Sequence, residues 1–123
     1  VAVLRAVLVT VSPLLGELLL VALLPHLKLD VIGTLETREC LAASLGAWSP
    51  DLVLLGLLGA ETEVAALAVL ALLPTARILA VTANGEPAWL LEAHRPPLAL
   101  FDLSVSEMVQ RVVQRFHLPP PEG

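Results

Sequence analysis

The stretch DLVLLGL, Asp51 to Leu57, constrains this chain more than any other, because after its first residue it carries no polar side chain. It lacks the alternation of a strand with one wet face, so it suits a parallel strand covered on both sides. Runs of similar character recur at RAVLVTV from Arg5, LDVIGTL from Leu29, ARILAVTA from Ala76 and LALF from Leu98. Helical patterns fill the intervals. Strands that alternate with helices in this way imply right-handed crossovers and helices on both faces of one sheet. The expected fold class is α/β: a doubly wound five-stranded parallel sheet in a three-layer sandwich.

The first interval opens with Ser12 as an N-cap and Pro13 in the first turn, where its missing N–H costs nothing. Leu14, Leu15, Leu18, Leu19 and Ala22 are expected to form its apolar face, with Glu17 toward water and Pro25 as the stop. A second helix is expected over Thr37 to Leu45, with Cys40, Leu41 and Leu45 inward and Arg38 and Glu39 outward, followed by the turn GAWSP. The third, ETEVAALAVLALLP, has acidic residues in its first turn, where the helix dipole favours them, and Pro74 at its end. After NGEP, a turn signal, AWLLEAH reads as a short helix. The last helix has a capping box in Ser104 and Glu107, and Val105, Met108, Val109, Val112, Val113 and Phe116 repeat at helical spacing. Gln110, Arg111, Gln114 and Arg115 occupy its opposite side. HLPPPEG cannot continue it, so residues 1–117 read as one domain and 118–123 as a Pro-rich linker or tail.

Composition narrows the function classes. Hydrophobic residues make up 57% and charged ones 15%, which a sheet covered on both faces explains without a membrane. The strongest membrane candidate, Ala6 to Leu24, is interrupted by Ser12-Pro13 and Glu17, and its β-branched half gives way to a leucine-rich half. It reads as two elements and not as a span. A net charge of -5 with 7 Lys and Arg argues against direct contact with nucleic acid, which needs clustered cations. Cys40 is the lone cysteine, so the chain has no internal disulfide or thiolate metal site, and a reducing, cytoplasmic setting is expected. It reads as core.

In a doubly wound sheet the working crevice lies beyond the carboxyl ends of the strands. Those ends are Thr10-Val11, Gly33-Thr34, Gly56-Leu57, Thr82-Ala83 and Phe101-Asp102. No nucleophile and base converge there. His26, His94 and His117 are far apart and near helix ends, Ser12 has no G-x-S-x-G setting, Asp102 is a lone carboxylate, and GLLG lacks the lysine of a phosphate loop. The expectation is therefore no enzyme, no cofactor and no metal.

The stretches VLVTVSPLLGELL, SPDLVLLGL, LLPTARILAVTA and LSVSEMVQRV, in this order and spacing, resemble the receiver domains of bacterial response regulators, especially those that precede LuxR-type helix-turn-helix domains. The resemblance runs from Arg5 to Phe116 and implies a flavodoxin-like fold. It also implies a phosphorylation switch with an acidic pair after the first strand, an aspartate ending the third, a Ser or Thr after the fourth and a lysine after the fifth. On this chain the acidic pair falls on Thr10 and Val11, the phosphoacceptor on Gly56 and the lysine on Phe101; only Thr82 keeps its type. The pattern is that of a degenerate receiver with no aspartyl phosphate and no Mg²⁺.

Such a module is expected to act by contact with a protein partner or with its own copy, as the N-terminal part of a transcriptional regulator that reaches DNA only through a following effector domain. In the resembled family the fourth helix, fifth strand and fifth helix commonly form the contact surface. Here that region holds Trp89, Leu90, His94, Arg95, Arg111 and Arg115. The alternative function is small-molecule sensing, with Val11, Thr82 and Phe101 lining a rebuilt crevice.

Overall fold

A computed structural model describes residues 3–37, 41–57, 63–73, 75–82, 88–93, 98–100 and 105–117. Among them the chain forms strands β1 (Leu4–Val9), β2 (Leu29–Leu35), β3 (Leu52–Gly56), β4 (Arg77–Val81), β5 (Ala88–Leu91) and β6 (Leu98–Leu100). The helices are α1 (Pro13–Leu23), α2 (Leu41–Trp48), α3 (Glu63–Leu72) and α4 (Val105–His117). The strands make one sheet in the order β2-β1-β3-β4-β5-β6. Pairings among β1 to β4 are parallel, whereas β5 is antiparallel to both β4 and β6.

The α/β, doubly wound class is as the sequence implies, but the sheet has six strands and is mixed where five parallel strands were expected. The difference lies in AWLLEAH, whose first four residues form β5 and not a helix. Ala88 and Leu90 enter the core beneath α1 and α4, while Trp89 and Leu91 pack into the core beneath α2 and α3. That two-residue alternation fills both faces at once. An apolar run this short, set between turn-forming segments, gains little from an isolated helical turn.

Both faces of the sheet are covered. On one, α1 and α4 pack over Ala6, Leu8, Leu52, Leu54 and Leu79; on the other, α2 and α3 pack over Val7, Val9, Val53, Leu55 and Ile78. Every residue of β3 is buried, and no polar or charged residue is fully buried among the described residues. Each buried leucine contributes roughly 1.5–3 kcal/mol, and Trp48 and Trp89 pack against the otherwise aliphatic core beneath α2 and α3.

Two helix expectations are corrected. Leu14 and Leu18 do not face inward: they are 71% and 49% exposed, and α1 buries Gly16, Leu19 and Leu23 instead. Since α1 is apolar almost all round, its sequence does not define a face; Gly16 lies against the sheet, where a Cβ would stand 2.8 Å from Leu8 Cδ2. Helix α2 extends through Trp48, into the segment read as a turn, and Thr37 lies outside it. It ends where Ser49 takes a left-handed φ of 47° and donates its backbone N–H to the Leu45 carbonyl oxygen at 2.9 Å, a common way to stop a helix. The start at Ser12-Pro13 is as expected, with the Leu15 N–H donated to Ser12 Oγ at 3.3 Å. Helix α4 buries Met108, Val109, Val112 and Val113 as expected and runs one residue further, through His117, while Ser104 and the side chains of Val105 and Phe116 lie outside the described residues.

Candidate functional site

The parallel strands deliver Thr10, Val11, Gly56 and Thr82 to one groove at their carboxyl ends, together with Thr34, Leu35 and Glu36 from the end of β2. Four of the five positions expected to form the degenerate pocket thus come together; Phe101 lies outside the described residues. The groove has a volume of about 680 Å³ and runs outward between α1 and β2.

Gly56 is not an empty place. A Cβ built on it would collide with the Thr10 carbonyl oxygen and stand 2.7 Å from the Thr10 carbonyl carbon and 2.9 Å from Val11 Cα. These atoms are main chain and cannot swing aside like the end of a side chain. Backbone of the β1–α1 loop occupies the space into which a residue at this position would project. Glycine is required there.

The loop is held in place by its own chemistry. Thr10 has a φ of 52°, an unusual conformation for a β-branched residue, which costs roughly 1–2 kcal/mol. Two hydrogen bonds offset that cost. The Thr10 hydroxyl donates to the Gly56 carbonyl oxygen at 2.6 Å, and the Thr10 N–H donates to the Leu35 carbonyl oxygen at 2.7 Å. Thr10 therefore ties the loop to β3 and β2 together. Nearby, the Leu57 N–H donates to the Val81 carbonyl oxygen at 2.7 Å, so the strand ends are fastened to each other.

Electrostatically this end of the sheet is sparse. Glu17 on α1 and Glu36 after β2 line the groove, and no Lys, Arg or His lines it among the described residues. Mg²⁺ needs hard oxygen ligands and is usually held through carboxylates. At the positions that the resemblance assigns to acidic residues stand Thr10, Val11 and Gly56, which supply no carboxylate. No group of three His, Cys, Asp or Glu side chains suited to a metal occurs among the described residues.

The expected contact residues are scattered by the structure. Trp89 is half-buried in β5, between Ala80 of β4 and Ala99 of β6. Leu90 is 2% exposed and belongs to the core under α1 and α4, so it offers no surface; strand alternation turned it inward. Arg111 is exposed on α4, as sequence predicts. His94 and Arg95 lie outside the described residues, as do Cys40 and Asp102 and the side chains of Arg115 and His117. His26 is exposed after α1, with Nε2 3.4 Å from Gln110 Nε2 on α4.

Sequence reasoning missed a set of charged contacts at the opposite end of the sheet. The Asp51 carboxylate accepts the Arg5 N–H at 2.9 Å, its own N–H donates to the Arg5 carbonyl oxygen at 2.7 Å, and its carbonyl oxygen accepts the Arg77 N–H at 3.0 Å. Arg77 Nε also pairs with Glu92 Oε2 at 3.1 Å. An acidic residue placed directly before an apolar strand was the available signal.

No family model matches the chain, and no curated protein matches it by sequence. Two solved structures share its fold. One is a mutant of the anti-anti-sigma factor PhyR from Bartonella quintana, with a TM-score of 0.62 and 14% identity over 94% of this chain. The match covers 49% of that protein, so this chain spans about half its length. The other is the signal receiver domain of a NarL response regulator from Mycobacterium tuberculosis, with a TM-score of 0.55, 22% identity, and coverage of 91% of this chain and 94% of that one. No helix among the described residues is long and apolar enough to cross a membrane. The fold of this chain is that of a receiver domain.

Proposed function

We propose that this chain is a phosphorylation-independent receiver domain, a regulatory module with no enzymatic role that works by contact with a protein partner or a second copy. Gly56 carries the reading. The position matched to the family's phosphoacceptor has no side chain, and main-chain atoms of Thr10 and Val11 fill the space where one would stand. Nucleophilic capture of a phosphoryl group needs a carboxylate at that point and cations to offset the developing charge. Thr10, Val11 and Gly56 provide neither. The resemblance to receivers that precede helix-turn-helix domains supports a place at the front of a cytoplasmic transcriptional regulator, with any DNA contact made by a following effector. A helix-turn-helix encoded after residue 123 is the expected context.

The test is incubation with acetyl phosphate and Mg²⁺, or with beryllofluoride, followed by intact-mass measurement and sizing. The expected result is no specific adduct and no Mg²⁺-dependent change of oligomer. A stoichiometric phosphoryl adduct would overturn the proposal. A second reading, small-molecule sensing, is favoured by one observation, the open groove between α1 and β2.

A further inference from the structure

Helix α1 does not reach over the edge strand. Ala6 and Leu8 of β1 are buried beneath it, but their partners in β2, Val31 and Thr34, are exposed. The carboxyl end of β2, at Thr34, and the flank of α1 border the groove, with Leu8, Leu15, Leu20 and Val21 among its walls. Its volume of about 680 Å³ falls within the range of small-molecule sites. Water-exposed apolar walls of this kind are costly to leave unfilled.

Polar groups define what can fill it. Hydroxyls of Thr10, Thr34 and Thr82 are present, while the charged side chains along the lining, Glu17 and Glu36, are both acidic. They stand on opposite walls, one on α1 and one just beyond β2. An anionic head group would meet two like charges here, and a neutral one would gain no charge attraction from them. We infer that the groove binds an amphiphilic cation, a ligand with an ammonium head held between Glu17 and Glu36 and an aliphatic tail along α1 and β2.

This inference names a ligand class for the sensing reading and rests on that reading alone. It is independent of whether Gly56 excludes phosphorylation. The probe is octylamine, compared with octanoate and octanol, followed by methyl chemical-shift titration of the intact chain. Octylamine is expected to shift Leu15, Leu20 and Val21 selectively, and octanoate to leave them in place. Glu17→Gln with Glu36→Gln should weaken octylamine about tenfold, a few-fold per carboxylate, as exposed ion pairs do. Both glutamates are exposed, so the variants keep the core intact. Equal shifts with octylamine and octanoate, or unchanged affinity in the double variant, would overturn the cation assignment while leaving a ligand groove. Absence of any shift at the groove would overturn both.

Discussion

The two ends of β3 are opposites. At its start, Asp51 uses a carboxylate and both backbone groups to join Arg5 and Arg77, and Arg77 in turn holds Glu92. At its finish, Gly56 offers no side chain, and an uncharged threonine hydroxyl closes over its carbonyl oxygen. Receivers are expected to keep their carboxylates at the carboxyl end, where chemistry occurs. Here the charges that organise the sheet sit at the amino end, where they can only hold strands in register.

The contrast yields a graded set of expected effects. Gly56→Ala should be the most damaging, at about 3 kcal/mol, because overpacking against fixed main chain has no low-cost relief; urea unfolding measures it. Thr10→Val comes next. It removes the 2.6 Å hydrogen bond while keeping β-branching at a positive φ, and should cost about 1–2 kcal/mol, with Thr10→Ser close to wild type. At the other end, Asp51→Ala should lose about 1 kcal/mol by the same assay, since its carboxylate contact is at an exposed site. If Asp51→Ala proved worse than Gly56→Ala, the contrast between a packed end and a merely pinned end would fail. The smallest effect belongs to Ser12→Ala, about 0.5 kcal/mol, because its capping contact is long at 3.3 Å and exposed.

How far each part could be read from sequence follows from how many constraints bear on it. Helix α4 was legible in extent to within one residue, at His117, and in orientation, since its polar and apolar sides differ and Met108, Val109, Val112 and Val113 are buried. Helix α1 was legible in extent but not in orientation. With Glu17 as its lone charge, apolar residues lie on every side, and tertiary packing, with Gly16 against Leu8, selects the buried face. AWLL was misread because a four-residue apolar run has no period of its own; its neighbours in β4 and β6 made it a strand. For the site, the identities at Thr10, Val11, Gly56 and Thr82 were legible through the order of the strands. The filling of the Gly56 position was not, because it depends on the left-handed turn at Thr10, which no local signal for a threonine announces. Of the groove, the part at Val11 and Thr82 was legible, and its extension along α1 was not, being a matter of how far that helix reaches.

Main chain of Thr10 and Val11 fills the space beside Gly56, so a carboxylate placed there is expected not to take up a phosphoryl group. Gly56→Asp tests it directly. The variant is examined by urea unfolding and, at a temperature where it is folded, by intact mass after treatment with acetyl phosphate and Mg²⁺. A destabilised protein with no phosphoryl adduct is the expected result. A Gly56→Asp variant as stable as wild type that takes up one phosphoryl group would contradict the account.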